Sequence, residues 1–138
     1  KIQRMIGYSQ AFRNIKNKIW IFSNGDLDCT VIDDLEQVLT CSINVNNEED
    51  FIIFVVYTNT KSSLRLPLLE DLKRLSYYNK PWRVTCDFNC TTKAQEKKGG
   101  LPHNHQKALP FINCILQCDI VDLQFSGPKY TWCNEGAP

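Results

Sequence analysis

Three short stretches of this chain carry polar and aromatic side chains that stand out as candidate functional groups. Cys86-Asp87-Phe88-Asn89 closes an apolar run. If the strand continues through it, the Asp87 carboxylate and the Asn89 amide point to one side, where they can orient a water and hold a phosphate oxygen. Val55-Val56-Tyr57-Thr58-Asn59 puts a phenol and an amide at a strand-to-loop junction, a common place for functional groups. Phe125 to Trp132 joins a tight turn to Lys129 and the aromatic pair Tyr130 and Trp132. Each stretch also has a plainer reading. Asp-x-Asn after a strand serves turns and caps, a tyrosine on a buried strand is usually core, and Tyr130 and Trp132 suit edge packing.

The elements that would position these groups are legible in the hydrophobic pattern. Ile19-Trp20-Ile21-Phe22 is an apolar run followed by Asn24-Gly25, which predicts a tight hairpin because both turn residues take positive φ. Leu27, Cys29 and Val31 share one face of the next strand, and Leu39, Cys41, Ile43 and Val45 alternate along a third. Phe51 to Tyr57 is apolar at every position, the mark of a strand covered on both faces. Leu64, Leu68, Leu69, Leu72 and Leu75 then recur at helical spacing, with Ser62 or Ser63 as cap and Pro67 near the start. Trp82 to Asp87 predicts a strand. Asn104 caps a second helix whose stripe is Ala108, Phe111, Ile112, Ile115 and Leu116, with Pro110 inside it. Ile120 to Leu123 and Tyr130 to Trp132 read as short strands around the turn at Ser126-Gly127-Pro128. Strands followed by two helices point to a layered α/β sandwich forming one domain over residues 1–138.

Composition sets the outer bounds. The chain has 138 residues, 43% hydrophobic and 22% charged, which excludes a disordered chain, a collagen and a coiled coil. The net charge of +1 names no partner, but the charge is segregated. Lys1, Arg4, Arg13, Lys16 and Lys18 stand without an acid in the first eighteen residues, and eight acids without a base run from Asp26 to Asp50. No apolar run is long enough to span a membrane and no secretory signal pattern opens the chain. The seven cysteines are odd in number and contain no Cys-x-x-Cys. Free thiols in a reducing compartment, cytoplasm or nucleus, explain them without any disulfide partner. A zinc site from Cys86, Cys90, Cys114 and Cys118 with His103 and His105 is the alternative.

Taken in order, several segments resemble the endonuclease/exonuclease/phosphatase superfamily, the DNase I-like fold. The similarity is greatest to the endonuclease domain of plant LINE-type (non-LTR) retrotransposons. The residues that carry it are Asn17 to Phe22, Phe51 to Tyr57, Pro81 to Asn89, Glu96 to Gly100 and Val121 to Asn134. The resemblance implies a Mg²⁺-dependent phosphodiesterase acting on DNA, built on a four-layer α/β sandwich of mostly antiparallel sheets with flanking helices. It implies that Asp87 activates or positions the attacking water, that Asn89 supports the phosphate in the transition state, and that Tyr57 contacts the same phosphate. Tyr130, Trp132 and Lys129 would lie toward the nucleic acid. The family's early Asn and metal-binding Glu motifs would precede residue 1, its closing Ser-Asp-His motif would follow residue 138, and Cys86 stands where the family has Gly. The expectation is therefore a part of such a domain that lacks activity by itself, or a non-catalytic remnant that keeps the fold and binds nucleic acid. A further expectation is that the apolar faces of Phe51 to Tyr57 and Trp82 to Val84 lie exposed.

Overall fold

A computed structural model describes residues 5–45 and 49–130. Among the described residues the fold is mixed α/β, with two sheets and two α-helices. Strands β1 (Gln10–Arg13) and β2 (Trp20–Ser23) form an antiparallel pair. Strands β3 (Leu27–Asp34), β4 (Val38–Val45), β5 (Glu49–Tyr57) and β6 (Trp82–Asp87) form a second sheet in that spatial order. Strand β4 pairs antiparallel with β3 and with β5, and β6 lies parallel to β5. A parallel neighbour needs a crossover, and here it is a 3-10 turn at Ser62–Arg65 followed by helix α1 (Leu66–Leu75). Helix α2 (His105–Gln117) follows β6.

Strand β5 separates two apolar layers. Ile52, Phe54 and Val56 face the helices and pack with Leu68, Leu69, Leu72, Leu75, Phe111 and Cys114. Phe51, Ile53 and Val55 face the other way, toward Leu39, Cys41, Ile43 and the Ile19 and Ile21 side of the small sheet. The expected exposure of this strand is thus corrected on the helix side, where all three residues are buried; the opposite three are half-buried. Trp82 packs its ring 5.4 Å from that of Phe54, and Val84 joins the same core, so this pair is also partly covered.

Several local expectations change. Asn24-Gly25 does turn the chain, with the Leu27 amide donating to the Asn24 carbonyl at 3.1 Å. Yet neither turn residue has positive φ, and β2 and β3 pair with different strands. The turn carries the chain from one sheet to the other, because Ile21 and Cys29 bury in the same interlayer core. Neither Ser62 nor Ser63 caps α1; the helix starts later, so Pro67 falls in its first turn, where a missing amide costs little. Leu64 and Leu116, expected in apolar stripes, are 50% and 68% exposed, while Cys114 is fully buried. Asn104 does cap α2, its Oδ1 accepting from the Lys107 amide at 3.0 Å. Pro110 lies inside α2 on its exposed side, where water can serve the carbonyl that the proline leaves unbonded. Residues 120–123 form no strand. Residues 131–132, and with them Trp132, lie outside the described residues.

Among the described residues Cys29, Cys41, Cys90, Cys114 and Cys118 are all free. Burial pushes the Cys41 and Cys114 thiols up to about 12, so they behave as small apolar groups. Among the described residues no helix is long and apolar enough to cross a membrane. One buried group in the sheet is unsatisfied. Thr40 is fully buried and its Oγ1 has no hydrogen-bond partner. Thr40→Val keeps the shape and removes that hydroxyl, so it should stabilise the fold by about 1–2 kcal/mol. A urea unfolding midpoint that moves upward at constant slope is the expected result; a downward shift would show that the hydroxyl is satisfied in solution.

Candidate active site

The parallel pairing of β5 with β6 sets Tyr57 directly beside Asp87 at the carboxyl ends of both strands. Register partners on parallel strands point to the same face, so phenol and carboxylate share one surface, and both are exposed. The carboxyl ends of parallel strands are where open α/β sheets bind ligands. The pairing continues one step further, with the Thr58 amide donating to the Asp87 carbonyl at 3.0 Å.

Strand β6 stops at Asp87, and the next two residues divide their roles. Phe88 turns toward the helix layer, its ring 4.4 Å from that of Phe111. Asn89 takes a left-handed backbone with φ of 45°, which asparagine tolerates better than most residues. Its amide N–H donates to Asp87 Oδ1 at 2.9 Å, an Asx turn of the kind the plainer reading expected. Its side-chain Nδ2 donates to the Thr58 carbonyl at 2.8 Å, tying the β6 exit to the β5 exit. The structure therefore brings Tyr57, Asp87 and Asn89 together, with Asn89 holding the two loops.

Three residues that the sequence patterns leave unmarked, Asn14, Gln37 and Arg65, build the surroundings together with Asn59. Asn14 is buried, and its Nδ2 donates to the carbonyls of Leu35 and Glu36 at 3.1 and 3.0 Å. Its Oδ1 accepts from the amides of Lys18 and Ile19 at 2.9 and 3.1 Å. That closes the loop from which Lys18 reaches over Tyr57, its Nζ 5.9 Å from the ring centroid. Gln37 Oε1 accepts from the Asn59 amide at 2.7 Å, its Nε2 donates to the Leu64 carbonyl at 2.9 Å, and its own carbonyl accepts from the Tyr57 amide at 3.1 Å. Arg65 Nη1 donates to the carbonyls of Thr60 and Asn89. Asn59 Oδ1 is occupied by the Lys61 amide at 3.0 Å. The common signal in Asn14, Asn59 and Asn89 is asparagine in loops between strands, and only their partners give it meaning.

No family model matches the chain, and no curated protein matches its sequence. The site is thus read from its own geometry.

The other sequence candidates have different partners. The Tyr130 hydroxyl reaches the Gln95 carbonyl at 3.5 Å, and Lys129 Nζ lies 5.8 Å from the Tyr130 ring. Among the described residues no hydrogen bond, ion pair or ring contact links either one to Tyr57, Asp87 or Asn89. Of the candidate zinc ligands, the Cys86 side chain lies outside those described, and Cys90, His103, His105, Cys114 and Cys118 form no cluster: no group of three or more His, Cys, Asp or Glu side chains that could hold a metal occurs among the described residues. His103 Nδ1 instead meets Thr91 Oγ1 at 3.2 Å, and Cys114 and Cys118 are a buried thiol pair 3.9 Å apart.

Asn14 carries the clearest test of this scaffold. Asn14→Ala removes a buried side chain that serves two carbonyls and two amides, and should cost about 2–4 kcal/mol of stability. Urea unfolding that shows a loss below about 0.5 kcal/mol, the range of ordinary surface changes, would contradict the assigned network.

Proposed function

We propose that this chain is a metal-dependent phosphodiesterase domain of the endonuclease/exonuclease/phosphatase type, related to the endonucleases of LINE-type retroelements and acting on DNA. The observation that carries the reading is the pairing of Tyr57 with Asp87 at the carboxyl ends of β5 and β6, with Lys18 over the phenol. A carboxylate, a phenol and an ammonium on one exposed surface suit a water, a phosphate oxygen and a nucleic-acid backbone respectively.

Each side chain has a role in that reading. Asp87 Oδ1 already accepts the Asn89 amide, which fixes the carboxylate and leaves Oδ2 to orient the attacking water or to meet a cation. The Tyr57 hydroxyl donates to a non-bridging phosphate oxygen. Lys18 adds positive charge on the same side, which favours a polyanion. Asn89 positions rather than contacts, because its amide holds the Thr58 carbonyl. Mg²⁺ binds through one or two carboxylates and keeps several waters, so Asp87 fits as one protein ligand of such an ion. When bound, the ion supplies charge that offsets what develops on the phosphate.

A second reading, a fold that binds nucleic acid without cutting it, is favoured by the commitment of the Asn89 amide to the backbone. Nicking of supercoiled plasmid by the folded chain with Mg²⁺ separates the two. The first reading expects nicking that EDTA abolishes. It expects Asp87→Ala to lower the rate by about 100-fold or more, and Tyr57→Phe by about 10-fold, the value of one hydrogen bond. A folded sample that retards DNA but never nicks it would establish the second reading.

A further inference from the structure

Arg65 is a buried cation without a buried anion. It is 9% exposed, at the junction of the 3-10 turn and α1. The carboxylate ion pairs of the described residues all lie elsewhere, on Lys16, Lys73, Arg74 and Lys80. Taking a guanidinium out of water without a counter-charge is costly, and carbonyl oxygens return only part of that cost. Both hydrogen bonds of the Arg65 side chain, to the Thr60 and Asn89 carbonyls, use Nη1. Nε and Nη2 have no hydrogen-bond partner among the described residues and are not sealed from solvent. Those two nitrogens form the edge of the guanidinium that grips an oxyanion in a bidentate fork. The group sits between the exit loops of β5 and β6, close enough to Cys90 to pull that thiol's pKa down against the burial that raises it.

We infer that Arg65 seats a phosphate oxyanion through its Nε and Nη2 edge, between the exit loops of β5 and β6. The seat rests on the phosphodiesterase reading for its natural ligand, a backbone phosphate of nucleic acid; free phosphate has the same chemistry. The clamp on the Thr60 and Asn89 carbonyls holds the fork in place before the ligand arrives.

The test uses the whole chain without metal, so it does not depend on nicking. Thermal unfolding is compared in phosphate and in chloride at matched ionic strength. At ten times its Kd, phosphate should raise the Tm by on the order of 5 °C. Arg65→Lys keeps the charge and loses the fork, so the rise should fall by half or more; in Arg65→Gln it should vanish. Should the glutamine variant not fold, the Arg65 Nε–Hε resonance of the unaltered protein gives the same answer, since it should move on titration with inorganic phosphate. An unmoved resonance, or an equal Tm rise in the lysine variant, would overturn the seat and leave Arg65 as a loop clamp alone. A duplex oligonucleotide that moves the same resonance makes the ligand a backbone phosphate; a response to inorganic phosphate only makes it free phosphate. A chain that binds phosphate through Arg65 but never nicks DNA keeps the seat and loses the activity. Nicking with a silent Arg65 does the reverse.

Discussion

The parallel contact between β5 and β6 is the constraint on which the other features depend. Strand β5 is covered by helices on one face and by the small sheet's side of the core on the other. A strand fixed on both faces cannot slip by one residue without moving every apolar side chain to the wrong layer. Its register with β6 is held equally, because Trp82 and Val84 enter the same core as Phe54. Tyr57 and Asp87 are therefore placed beside each other by packing several residues away, not by any direct attraction between them.

Beyond the strand ends, polar side chains take over from packing. Asn14, Gln37, Asn89 and Arg65 each bridge segments distant in sequence, and each bonds mainly to backbone groups. Loops can sit partly buried only if their amides and carbonyls find partners. Here side chains supply them, and the site's loops are fixed as a result. The segregated charges of the sequence are reunited in the same way. Lys16 from the basic start meets Glu36 at 2.8 Å, the Ile15 amide donates to Asp34 at 2.8 Å, and Asp33 meets Arg74 at 3.0 Å. Part of that asymmetry is thus offset within the fold. Lys18, over Tyr57, brings one basic residue of the first eighteen to the candidate site.

The layers and most strands were legible because period-two and period-3.6 patterns report burial directly. Leu39, Cys41 and Ile43, and Leu68, Leu72 and Leu75, bury as their spacing requires. Pairing partners were not legible. Asn24-Gly25 signals a reversal but not which strand lies opposite, and the interlayer core sends β2 and β3 to different sheets. Residues 120–123 have strand-like composition but no strand neighbour among the described residues, and a strand needs one. For the site, Asp87 and Tyr57 were recognisable as polar groups ending apolar strands. The direction of the Asn89 amide was not, because its left-handed backbone breaks the alternation that an extended chain would give. Arg65 was hidden in a leucine-rich helical start, where nothing in the sequence marks a buried charge.

The central claim is that chemistry gathers at the carboxyl ends of β5 and β6. Paramagnetic broadening of backbone amide resonances by Mn²⁺, in place of Mg²⁺, tests it most directly. The account predicts broadening centred on residues 57–59 and 87–89 that Asp87→Ala removes. Broadening centred on another acidic stretch, such as Glu70 and Asp71 on α1, or broadening that survives Asp87→Ala, would contradict it.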